Sequence, residues 1–135
     1  MKKKRWFVAA AMGLLLIVFA SALLMGRRPF AALRLEEIAH ATVRLIPPDA
    51  EVTLDDEQIA ELAALLQSTV IYRQDMAYTE YDGQGVLFTL VMADGRRITI
   101  NACNPFLVID GIGYRTKYAP CEALSAFANG LLRSR

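Results

Sequence analysis

Histidine, cysteine and tryptophan are scarce in this chain, with one His, two Cys and one Trp among 135 residues. That scarcity excludes a zinc finger or any Cys/His-rich metal cluster; only carboxylate-based metal sites stay open. Net charge is scarce too, since 15 Lys and Arg stand against 14 Asp and Glu, leaving +1. Nucleic acid therefore finds no electrostatic footprint here. The serines have no G-x-S-x-G context. The pairs Gly83/Gly85 and Gly111/Gly113 are too short for a phosphate loop, and no helix follows them at once. No cofactor motif is present. The length gives room for one domain.

Hydrophobic length is what the N-terminus has in excess. Lys2, Lys3, Lys4 and Arg5 form a basic cluster, and Trp6 to Met25 then gives 20 residues without a charge. At a rise of about 1.5 Å per residue this run spans roughly 30 Å, the hydrocarbon thickness of a bilayer. A secretory h-region is shorter, on the order of 7–15 residues. The reading is a basic cytoplasmic tail (1–5), a membrane anchor contacting the bilayer through 6–26, a linker (27–35) and an extracytoplasmic domain (36–135). The basic cluster keeps the N-terminus cytoplasmic. The alternative is a secreted form. Ala20-Ser21-Ala22 fits an A-x-A signal peptidase site, and cleavage after Ala22 would release the rest. Four of the basic residues lie in 2–5, so 27–135 carries 11 against all 14 acidic ones, a formal charge of −3.

The exported part is expected to be α+β. Ile38 to Leu45 alternates apolar and polar residues as a half-buried strand does, and Pro47-Pro48-Asp49 ends it. Glu51-Val52-Thr53 returns. Asp55 as N-cap and Gln58 three residues on predict a capping box, with Leu54 and Ile59 as a hydrophobic staple. Ile59, Leu62, Leu65 and Leu66 give that helix its apolar stripe to about Gln67. Strands are predicted at 69–73, 86–92, 97–101, 106–109 and 112–115, with Asp94-Gly95 and Asp110-Gly111 as hairpin turns. Pro120 sits near the start of a last helix, which carries Ala123, Leu124, Phe127, Leu131 and Leu132 on its apolar face. The expected architecture is one small antiparallel sheet with both helices on one face.

The run Val86–Ile100 with its Asp-Gly hairpin, Phe106–Tyr114 with its second Gly turn, and Cys121-Glu-Ala-Leu124 resembles a pattern in small exported proteins of Gram-positive bacteria. Leu54–Leu62 is similar as well. The likeness covers most of 38–133. Many of those proteins are lipid-anchored and uncharacterised, so the resemblance implies a location and a fold but no reaction. This chain has no cysteine at the end of its apolar run to take a lipid.

Few residues are candidates for chemistry. Cys103 and Cys121 are expected to pair as a disulfide, on the ground that an exported domain meets an oxidising compartment. The other reading is two buried thiols acting as small apolar residues. His40 is the one possible base for a Cys103 or Cys121 nucleophile, though its strand position favours a solvent-facing side chain. Capping and helix-dipole complementarity explain Asp55, Asp56 and Glu57 without a metal. Tyr78, Glu80 and Tyr81 form a candidate binding loop for an envelope protein or glycan, or else the loop packs on its own domain. The leading expectation is a non-enzymatic, membrane-anchored module that binds or senses an envelope component. The alternatives are its secreted form and a cysteine-dependent enzyme.

Overall fold

A computed structural model of the chain describes residues 2–134, without the side chains of 22–24. The elements run α1 (Lys2–Met25), a 3₁₀ turn (Leu35–Glu37), β1 (Ile38–Ile46), β2 (Ala50–Thr53), α2 (Asp56–Gln67), β3 (Ile71–Gln74), a second 3₁₀ turn (Met76–Glu80), β4 (Gly85–Met92), β5 (Arg97–Cys103), β6 (Phe106–Ile109), β7 (Ile112–Thr116) and α3 (Tyr118–Arg133). The strands make one sheet in the order β2-β1-β4-β5-β6-β7-β3. Every pairing is antiparallel.

Local chemistry sets most of these elements. In β1 the alternation buries Ala41, Val43 and Leu45 and turns Thr42 and Arg44 outward or toward the rim. Asp49 turns the chain at φ 64, a conformation Asp tolerates, and Arg44 holds its carboxylate at 2.8 Å. The capping box on α2 forms in full: the Gln58 amide donates to Asp55 at 2.8 Å, and the Asp55 amide donates to Gln58 Oε1 at 2.9 Å. Positive φ at both Asp110 (50) and Gly111 (84) identifies the β6–β7 connection as a two-residue hairpin of the type whose twist matches its strands. Pro120 is the third residue of α3, where an absent N–H breaks no intrahelical bond.

One core joins the layers. Ile59, Leu62, Ala63 and Leu66 of α2, Cys121, Leu124, Ala128 and Leu131 of α3, and Val43, Leu45, Val86, Phe88, Leu90, Ile100 and Leu107 of the sheet share it. The Phe88 and Phe127 rings stack at 6.4 Å. Each Val, Leu, Ile or Phe among them contributes roughly 1.5–3 kcal/mol when fully buried. A smaller cluster of Cys103, Phe106 and Val108 is covered by Tyr78.

Two expectations change. The strand predicted at 69–73 begins two residues later, because Thr69 is buried and its hydroxyl donates to the Leu66 carbonyl at 2.7 Å, closing the end of α2. More important, 27–35 is not a linker. Arg27 pairs with the edge strand β3 by two backbone hydrogen bonds to Ile71, each 2.8 Å. Phe30 and Leu33 are only 7% and 8% exposed and belong to the main core. Arg28 donates through Nε to the Gln67 carbonyl at 2.8 Å, and Gln67 Nε2 donates to the Leu33 carbonyl at 2.7 Å. The sequence shows no period here because the segment contributes two isolated anchors rather than a helix face or a strand.

α1 is long and apolar enough to cross a membrane, a test that a signal sequence also passes. From Lys2 to Ser21 it buries nothing against the domain. The Ala22 side chain of the A-x-A site lies outside the described residues.

The Phe30→Ala variant of the full chain in detergent micelles is expected to lose about 3–5 kcal/mol of unfolding free energy. Urea titration followed by circular dichroism measures it. A loss below about 1 kcal/mol, the size of a surface substitution, would return 27–35 to the status of a linker.

Candidate functional site

The polar residues that converge do so on the outer side of α3. Glu122, Ser125, Asn129 and Arg133 follow one another at helical spacing and form a polar stripe beside the helix's buried one. Tyr81 and Gln84 reach this stripe from the segment that enters β4, and Asn104 reaches it from the β5–β6 turn. Together they line a cleft of about 400 Å³. That is the lower part of the range for sites that hold small molecules.

The cleft is held by paired amides. Gln84 Nε2 donates to Asn129 Oδ1 at 3.1 Å, and Asn129 Nδ2 donates back to Gln84 Oε1 at 2.9 Å. Gln84 also donates to the Pro47 carbonyl at 3.0 Å, and Asn129 to the Ser125 carbonyl at 2.9 Å. Asn104 Nδ2 donates to the Tyr118 carbonyl at 3.0 Å and lies 3.5 Å from Glu122 Oε2. These bonds fix which way the Asn104 amide faces. Its Oδ1 is buried and has no protein partner. An acceptor left so costs about 1–3 kcal/mol. Burial raises the Tyr81 phenol above its ordinary value, with the two thiols and the Asp82 and Glu122 carboxylates adding to it. Tyr81 is thus a hydrogen-bond donor at neutral pH. Glu122 and Arg133 put opposite charges about 16 Å apart along the helix.

The predicted site residues are distributed differently from expectation. Of the candidate loop, Tyr78 belongs to the fold: its hydroxyl donates to the Gly111 carbonyl at 2.9 Å, and its ring lies against Gly113, where a Cβ has no room. Glu80 is exposed, and Tyr81 alone lines the cleft. The expected Cys103–Cys121 disulfide does not form, and both cysteines are free and buried. Alternation along β5 puts Cys103 on the face opposite its neighbour Ala102, in the Tyr78-covered cluster. Cys121 lies in the main core, its Sγ 3.6 Å from the Phe106 carbonyl. The sheet stands between the two thiols. His40 is not brought to either. It pairs across with Val91, which pairs with Arg97, six residues along β5 from Cys103. Two strand spacings and six strand residues make the separation from Cys103 roughly 20 Å. Asp55 is spent on the α2 cap. Among the described residues no three His, Cys, Asp or Glu side chains converge as a metal site.

Gln84, Asn104, Ser125, Asn129 and Arg133 were not singled out from the sequence. The 122, 125, 129, 133 spacing was the available signal for four of the lining positions' helix, and nothing local marks Gln84 or Asn104. No family model, curated protein or solved structure matches the chain.

Burial pushes the Cys103 thiol up to about 11 and the Cys121 thiol up to about 12. The native chain is therefore expected to resist alkylation at about pH 8 and to take two labels once denatured without reductant, as read by intact mass. A denatured, unreduced chain that takes none would restore the disulfide. Folding also holds these thiols protonated while unfolded thiols ionise near 8.5. Their contribution to stability is complete below about pH 8.5 and falls as pH rises through the folded values.

Proposed function

We propose that the chain is a membrane-anchored extracytoplasmic binding module whose polar cleft takes an envelope glycan. The observation that carries this is the cleft's lining: three side-chain amides, a hydroxyl, a carboxylate and a guanidinium around one aromatic ring. Amides and carboxylates can each meet two neighbouring sugar hydroxyls. The Tyr81 ring offers a flat surface to the C–H face of a sugar, and its hydroxyl a further donor. The volume suits one or two sugar rings.

The exposed apolar surface of α1 supports the anchor, because the uncharged run from Trp6 to Ser21, unpacked against the domain, needs a solvent other than water. Residues 2–5 supply the cytoplasmic positive charge, which leaves 27–135 outside. The likeness of 38–133 to exported Gram-positive domains points to the same compartment. α2 and α3 are read as covering one face of the sheet, consistent with their shared core. A form released after Ala22 would keep the same cleft.

The test uses the full chain in lipid nanodiscs, titrated calorimetrically with chitotetraose. Saturable binding is expected. Asn104→Leu and Tyr81→Ala should each weaken it tenfold or more, about 1.4 kcal/mol, while Glu80→Ala on the exposed flank leaves it unchanged. No saturable heat from the parent chain, or equal binding by all three variants, would sink the glycan reading.

A further inference from the structure

The junction between α1 and the sheet says which end of the domain faces the membrane. Arg27 pairs antiparallel with Ile71, and the end of α1 packs beside β3. Gly26 makes the approach possible. It sits at φ 73, and a Cβ there would lie 2.6 Å from the Ile71 carbonyl oxygen and 2.8 Å from side-chain atoms of Val70 and Tyr72. In an antiparallel pair, the partner runs back the way the first strand came. From Ile71 to Met76 the chain therefore runs toward α1, over about 17 Å.

What lies along that path is apolar and exposed. Met76 is 45% exposed and Ile112 42%. They are held at one end of the sheet by the bonds that join the Met76 turn to the β6–β7 hairpin. The Asp75 amide donates to the Gly113 carbonyl at 2.8 Å, and the Tyr78 hydroxyl donates to that of Gly111. The carboxylate of Asp75 is neutralised by Arg115 at 3.0 Å. Single exposed apolar residues need no explanation, but two at one tip beside a membrane-length helix do.

We infer that this end of the domain, with Met76 and Ile112 inserted, rests in the headgroup layer of the bilayer that α1 crosses. The inference rests on α1 being an anchor and is independent of what the cleft binds. It adds an orientation. The β5–β6 turn bearing Asn104 is at the other end of the strands from Gly111, so the cleft opens about 20 Å from the lipid, toward the envelope.

The test uses the full chain in phosphatidylglycerol and phosphatidylcholine vesicles whose acyl chains are brominated near the headgroup. Bromine quenches nearby indoles, and Trp6 is the only native one. Two further chains carry Trp6→Phe with either Ile112→Trp or Glu51→Trp, and Met76→Trp replaces the former should it misfold. The expected result is quenching of Trp6 in the parent and a comparable quenching in the Ile112→Trp chain. The Glu51→Trp chain, labelled at the opposite sheet edge, should be unquenched. A quenched Trp6 with an unquenched Ile112→Trp chain overturns the inference and leaves the anchor. An unquenched Trp6 overturns the anchor and the inference with it.

Discussion

Two backbone hydrogen bonds between Arg27 and Ile71 decide how this molecule is put together. They satisfy Ile71 on the outer side of β3, the edge strand of the sheet, where an unpaired group could recruit another chain. They also remove the free segment between the apolar helix and the sheet. The clasp is repeated a few residues on, where Arg28 holds the last carbonyl of α2 and Gln67 holds the Leu33 carbonyl in return. Phe30 and Leu33 then enter the same core as α2 and α3. A helix joined to the sheet in this manner transmits an orientation, which a flexible tether cannot.

The cleft follows from the path between β3 and β4. These strands are not neighbours; they lie near opposite sides of the sheet order, and the chain between them must cross from β7's side to β4's. On the way Tyr78 seals Cys103, Phe106 and Val108 into a second cluster. The remainder delivers Tyr81 and Gln84 to the edge of α3. There the reciprocal Gln84–Asn129 bonds tie the crossing to the helix. One side of α3 thus fills the core while another, a third of a turn away, lines a polar site.

Local signals in the sequence foretold the elements well where they act within a few residues. The α2 capping box, the Asp-Gly hairpins and the alternation in β1 and β4 are all decided by neighbours close in the chain. What depended on distant pairing was not legible. The docking of 27–35 on β3 joins residues over forty positions apart. The faces taken by Cys103 and Cys121 follow from strand parity and helix phase, and a compartment argument for their pairing could not see that the sheet intervenes. Tyr81 stands out in the sequence as an aromatic in a long loop, but the residues it meets in the cleft come from α3 and the β5–β6 turn. Asn104 carries no local mark at all; only the fold shows that its amide is half used.

Hydrogen exchange of the full chain in lipid nanodiscs, resolved to single amides by NMR, measures the central claim most directly. The Arg27 and Ile71 amides are predicted to exchange as slowly as those that join β6 to β7, because all belong to one cooperatively stable sheet. An Arg27 amide that exchanges at the rate of an unstructured peptide, while the β6–β7 amides stay protected, would show a tethered domain and contradict the account.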